Sequence, residues 1–219
     1  MTGHFGQETT IELVMRNFNW GKLTEWINDY IRSHNECQHN KSSGQAKDGL
    51  LQPLEVPYAA WTSIAVDFIA QLPESQGQSH IMVVVDGFTK MVHFIGFTTN
   101  GTAKDVADSL LKEVWKLDGL LSEIVSDMNP KCSGEAWASW FKALGIKRRM
   151  STAYHPQMEG ETERSNQVLD GYLRTFVNPD QNDWYQLPLL AEYAYNNSKA
   201  SGYKLTHFFA NYGLNPQME

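Results

Sequence analysis

Asp67 interrupts an otherwise apolar run, IAVDFIAQL (Ile64 to Leu72). An ionised carboxylate in the middle of such a strand is costly unless it is paired or binds a cation. Asp127 closes a second short apolar run, IVSD, and the ends of strands in a helix-flanked sheet are where ligands and active sites collect. A third carboxylate is offered by Glu161 and Glu163, with Glu159 just before them, in STAYHPQMEGETERSNQ (Ser151 to Gln167). Three carboxylates converging on one edge of a sheet can hold two Mg²⁺ ions roughly 4 Å apart, the apparatus of in-line phosphoryl transfer on nucleic acid. Taken one at a time, Asp127 is equally read as the cap of a turn, and Glu161 and Glu163 as first-turn residues favoured by a helix dipole.

The elements that must position these groups follow from periodicity. Ile11, Leu13, Val14 and Phe18, then Trp26, Ile27, Tyr30 and Ile31, recur at roughly helical spacing and give a small helical head. A polar stretch, NKSSGQAKDG, followed by Pro53 and Pro57, marks a boundary, so residues 1–42, 43–58 and 59–219 are expected to be head, linker and core. Ile64 to Leu72 and the two β-rich runs within His80 to Phe97, split by Asp86, Gly87 and Thr89, read as three antiparallel strands. An amphipathic helix (Ala103 to Leu117), a strand (Glu123 to Ser126), a helix (Gly134 to Leu144) and a strand (Ile146 to Met150) come next. Ser151 to Gly160 reads as a loop, and helices are expected from about Glu161 to Phe176 and from Asp183 to Asn197. The fold class is therefore α/β, a mixed five-stranded sheet flanked by helices.

Composition narrows the partners. With 42% hydrophobic and 20% charged residues the chain can build a sizeable core, which excludes a disordered or collagen-like chain. Its longest aliphatic run, Ile81 to Val85, is far short of the roughly 20 apolar residues of a membrane span, and no signal-like layout opens the chain, so no membrane partner is expected. Cys37 and Cys132 make no disulfide framework, which points to a reducing compartment, cytoplasm or nucleus. Eighteen Lys and Arg against 25 Asp and Glu give a net charge of −7, the wrong sign for gripping phosphates by bulk charge. Nucleic-acid contact must then be local: Lys142, Lys147, Arg148, Arg149 and Arg164 flank the acidic segments, while Tyr154, His155 and Gln157 offer stacking and hydrogen-bonding groups.

Several strings, WTSIAVDFIAQLP, IMVVVDGFTKMVHFI, VSDMNP, LGIKRRMSTAYHPQMEGETERSNQVLDGYLR, DWYQLPLLAEYAYNNS and NYGLNP, run in one order from Trp61 to Pro216. In that order the chain resembles the integrases of gypsy-type long-terminal-repeat retrotransposons, within the retroviral integrase superfamily. The resemblance implies a ribonuclease-H-like fold and an Asp, Asp, Glu triad binding Mg²⁺ or Mn²⁺, whose last two members are separated by 35 residues. Positions 128–162 are the 35 residues between Asp127 and Glu163, so Asp67, Asp127 and Glu163 fill the triad. It further implies 3′-end processing and strand transfer, element ends and target DNA as partners, a homo-oligomer, and a nuclear site of action after cytoplasmic assembly.

GHFGQETTIELVMRNFNW and YIRSHNECQHNK resemble the family's zinc-binding head. His4 matches its second histidine and Cys37 its second cysteine, while His34 stands where the first cysteine belongs and the first histidine falls ahead of Met1. His4, His34 and Cys37 are therefore the candidate Zn²⁺ ligands, one fewer than the four that normally close a structural site. Departures also gather near the triad: SDMNPKC stands for SDRGPQF, MEGETER for TDGQTER, and Gly87 for an arginine. An active integrase, a nuclease of the same fold, and a non-catalytic DNA- or protein-binding derivative all remain open on the sequence.

Overall fold

The computed structural model describes residues 6–34, 57–126, 141–150, 156–200 and 202–217. Two helices, α1 (Gln7–Met15) and α2 (Leu23–Ser33), form the head. Leu23, Ile27 and Ile31, spaced one turn apart, are buried against Ile11 and Val14. The core begins with β1 (Ser63–Ile69), β2 (His80–Asp86) and β3 (Val92–Phe97), followed by α3 (Ala103–Leu110), β4 (Glu123–Ser126) and β5 (Lys147–Met150). Helices α4 (Pro156–Phe176), α5 (Leu187–Asn196) and α6 (His207–Tyr212) complete it.

The sheet order is β3-β2-β1-β4-β5. The first three strands pair antiparallel and the last two join β1 in parallel, as the expected mixed sheet requires. Alternation divides the core between the two faces. Ile64, Val66, Met82 and Val84 pack with Val106 and Leu110 of α3, whereas Ala65, Ile81, Val83 and Val85 pack with Leu169, Tyr172 and Leu173 of α4 and Ala191 of α5.

The β2–β3 turn is fastened by Asp86, whose carboxylate accepts from the backbone N–H of Trp61 at 2.8 Å, and from Thr89 N–H and hydroxyl at 2.7 and 2.6 Å. The free edge of β3 is closed by side chains of α5: Asn196 bonds both the N–H and the C=O of Val92, and Glu192 accepts from Phe94 N–H. An edge strand so covered is a poor template for wrong pairing.

Two expectations are corrected. The fourth helix begins at Pro156 and not near Glu161, so Pro156 to Gly160 is helical and only Ser151 to His155 of the expected loop falls outside the described residues. Proline is well suited to the first helical position, where its missing N–H is no loss. The helix after β3 is also not uniform, passing through a π-helical turn, Leu111–Trp115, into a last turn, Lys116–Asp118.

Candidate active site

Strand β1 delivers Asp67 to the α4 side of the sheet, because Val66 is turned toward α3 and successive side chains alternate. There the Asn166 amide Nδ2 donates to Asp67 Oδ2 at 2.8 Å, while Asp67 Oδ1 accepts from the Phe68 N–H at 2.8 Å. Asp67 is half-buried, so water and ions reach a carboxylate held in one orientation.

Helix α4 buries Thr162, Ser165, Leu169, Tyr172 and Leu173 against the sheet. Half-buried Asn166 and exposed Glu163 border that face, three residues apart. Helical residues at that spacing are neighbours, about 5–6 Å between Cβ atoms, so the Asn166 bond brings the turn carrying Glu163 alongside Asp67. Strand β4 ends at Ser126, which pairs with Val66, the residue before Asp67. Asp127 itself lies outside the described residues.

Asn166 Oδ1 is buried with no hydrogen-bond partner among the described residues. An orphaned amide oxygen beside a carboxylate is a hard donor in need of a cation or its water, and two carboxylates plus such an oxygen suit Mg²⁺ or Mn²⁺. The residues present therefore fit a divalent metal. Among the described residues no group of three or more His, Cys, Asp or Glu forms a metal cluster.

The remaining candidates are scattered. Lys147 is exposed on β5 opposite Glu123, on the same face as Asp67, whereas half-buried Arg148 pairs with Ile124 and belongs to the α3 face. Arg149 is ion-paired with Glu123. Arg164 is exposed beside Glu163, and its charge, with that of Lys90, is felt at His207. Burial, reinforced by those cations, lowers the His207 pKa to about 4 and keeps it neutral, bonded to the Thr89 carbonyl at 2.9 Å. Gln157 falls in α4, while Tyr154, His155, His4 and Cys37 lie outside the described residues. His34 ends α2, its ring stacked on Tyr30 at 5.3 Å.

Sequence reasoning passed over Asn166, although its place one turn after Glu163 was a signal. It also passed over His93, which lies between two carboxylates: Nδ1 is 2.9 Å from Glu192 Oε1, and Nε2 is 3.2 Å from Asp118 Oδ2. Its ring stacks on Trp61 at 5.0 Å. Burial works against the charged imidazole, but the hydrogen bonds and charges of Asp118 and Glu192 outweigh it and raise the pKa to about 9. Asp118 also accepts from Asn211 and Tyr212, which ties α6 to the same hub.

A mixed sheet in this strand order, with an aspartate on its central strand met by a carboxylate-bearing helix, defines the ribonuclease-H-like class. Structures of that class share the fold at low identity. One is the simian T-cell lymphotropic virus intasome in complex with PP2A regulatory subunit B56 gamma, with TM-score 0.59 and 18% identity, over 99% of this chain and 75% of that one. Another is the HTLV-2 integrase catalytic core domain in complex with magnesium, dimeric form, with TM-score 0.55 and 16% identity, over 75% of this chain and 100% of that one. The chain belongs to the integrases: residues 58–156 match the integrase core domain and residues 1–43 the integrase zinc binding domain. It is 32% identical over 205 residues to the Tf2-3 and Tf2-4 transposon polyproteins of Schizosaccharomyces pombe. That alignment spans 94% of this chain and about 15% of those polyproteins.

Proposed function

We propose that this chain is the integrase segment of a retroelement polyprotein and a metal-dependent polynucleotidyl transferase, acting through Asp67, Asp127 and Glu163. The observation that carries the reading is the Asn166–Asp67 hydrogen bond, which brings the turn bearing Glu163 beside the aspartate of the central strand. Membership of the integrase core family and the magnesium-bound core with the same fold support it.

The reaction is an in-line displacement in which a hydroxyl oxygen attacks a DNA phosphorus and the bond to the leaving 3′-oxygen breaks. Mg²⁺ or Mn²⁺, when bound, supplies activation of the attacking oxygen and charge stabilisation of the leaving one. Asp67, Asp127 and Glu163 are the residues that would hold it. Asn166 fixes the orientation of the Asp67 carboxylate, and its Oδ1, without a partner among the described residues, adds a further acceptor beside it. Lys147 and Arg164 would take phosphates locally despite the net charge of −7. Tyr154, His155 and Gln157 complete the proposed DNA contacts, whereas Arg148, turned to the α3 face, is not among them. Element ends and target DNA are the substrates, and a homo-oligomer in the nucleus is the working form.

Residues 1–42 act as a zinc-binding-type head, with His4, His34 and Cys37 as the Zn²⁺ ligands, 43–58 as linker, and 59–219 as the catalytic core. The test is joining of a short duplex mimicking an element end to a target duplex in Mg²⁺ or Mn²⁺. Joined product with the unaltered protein, and none with Asp67→Asn, is the expected result. Equal product from both would refute the assignment, and cleavage without joining would make the chain a nuclease of the same fold.

A further inference from the structure

Among the described residues, the head and the core share no hydrophobic cluster. Leu23, Ile27 and Ile31 pack with Ile11 and Val14, and the two clusters on the sheet contain no residue of α1 or α2. A compact polar cluster bridges the two units. Arg16, just past α1, donates from one terminal nitrogen to Asn197 Oδ1 and from the other to the Asn197 carbonyl, each at 2.9 Å. Its Nε and the second terminal nitrogen also hold both oxygens of Glu12, at 2.8 and 2.9 Å. Lys199 closes the set with its ammonium 3.0 Å from Glu12 Oε1.

We propose that Glu12, Arg16, Asn197 and Lys199 form a releasable clasp, which docks the head on the C-terminal end of α5 and sets a balance between docked and undocked states. Each contact has a physical reason. Asn197 caps the C-terminus of α5, where carbonyls lack helical partners and the dipole favours a cation. Arginine presents planar paired donors, so one guanidinium can serve an amide and a carboxylate together. Glu12, four residues before Arg16, keeps that guanidinium in its docking pose whether or not the core is present, which lowers the ordering cost of re-docking. Burial opposes the Glu12 carboxylate, yet Arg16 and Lys199 outweigh it and hold its pKa below the ordinary value.

The same features make the clasp weak. Arg16 and Glu12 keep about a fifth of their side-chain surface exposed and Lys199 nearly half, so salt reaches all three charges. Small polar contacts between domains permit relative motion, whereas a shared apolar core would not. The site of docking is itself rigid, because Asn196 and Glu192 of α5 are locked to β3.

A zero-length carbodiimide tests this on the full chain, since it joins Lys199 to Glu12 only while the two are in contact. Mixed ¹⁴N- and ¹⁵N-labelled protein, read by mass spectrometry, separates bonds within one chain from bonds between chains. The expected result is an intrachain Glu12–Lys199 link at low salt, reduced about tenfold or more in Arg16→Gln and at about 1 M salt. Glutamine preserves helix propensity, and circular dichroism of the stacked Trp26–Tyr30 pair reports whether the head stays folded. If Arg16→Gln unfolds the head, the salt arm on the unaltered protein decides. A link of equal yield at high salt, no link at any salt, or a link found only between chains would overturn the proposal.

Discussion

The core contains two polar centres with opposite characters, one around Asp67 and the other around His93. At the first, a half-buried carboxylate is held by one amide, the neighbouring amide oxygen has no partner among the described residues, and Glu163 is exposed. At the second, both imidazole nitrogens meet carboxylates, and the side chain of Asp118 is only 1% exposed. The Asp118 carboxylate accepts in addition from Asn211 and Tyr212, and Glu192 from the Phe94 N–H. A satisfied and buried network fixes the fold, whereas an accessible carboxylate with an unmet neighbour is poised to take something in. The difference separates residues that build this molecule from those proposed to act.

The largest expected effect belongs to the open centre. Glu163→Gln removes one charge at nearly constant shape and should lower metal-dependent joining by about 10³-fold or more, since metal charge stabilisation is worth several kcal/mol. Unfolding of that variant by urea should match the unaltered chain, because Glu163 is exposed. A variant that lost stability but kept its rate would invert the comparison.

The closed centre should respond the other way. His93→Ala leaves Asp118 and Glu192 facing one another without a cation, and should cost about 3–5 kcal/mol in denaturant unfolding, with joining per folded molecule unchanged. Asn166→Ala sits between the two cases. It removes the group that orients Asp67, so metal titrations should show about 10- to 100-fold weaker binding at little cost in stability.

A pH series sharpens the contrast further. The His93 pKa is raised from 6.5 to about 9, so its stabilising contribution is complete below 6.5 and is lost as pH rises through about 9. The melting temperature should therefore fall across the alkaline limb, and His93→Ala should flatten that limb. A slope unchanged by the substitution would remove His93 as its source.

How much of this was legible in the sequence depended on whether the signal was local. The three antiparallel strands were, because β-branched runs and the Asp86–Gly87 turn are local patterns, and Asp67 stood out as a charge among apolar neighbours. The beginning of α4 was misplaced because Pro156 reads as a breaker, although it is also a favoured first residue. The short α6 was not anticipated, and its hold on Asp118 spans more than 90 positions in sequence. His93 was hidden for the same reason, since its partners are 25 and 99 residues away. The π-helical turn that precedes Asp118 leaves no periodicity to read, because it breaks one.

The most direct measurement of the central claim is anomalous diffraction from crystals soaked in Mn²⁺. The expected result is a manganese peak ligated by Asp67 and Glu163, at about 2.0–2.3 Å from their oxygens, and lost in Asp67→Asn. No peak at saturating Mn²⁺, or a peak held by other residues with Asp67 and Glu163 left out, would contradict it.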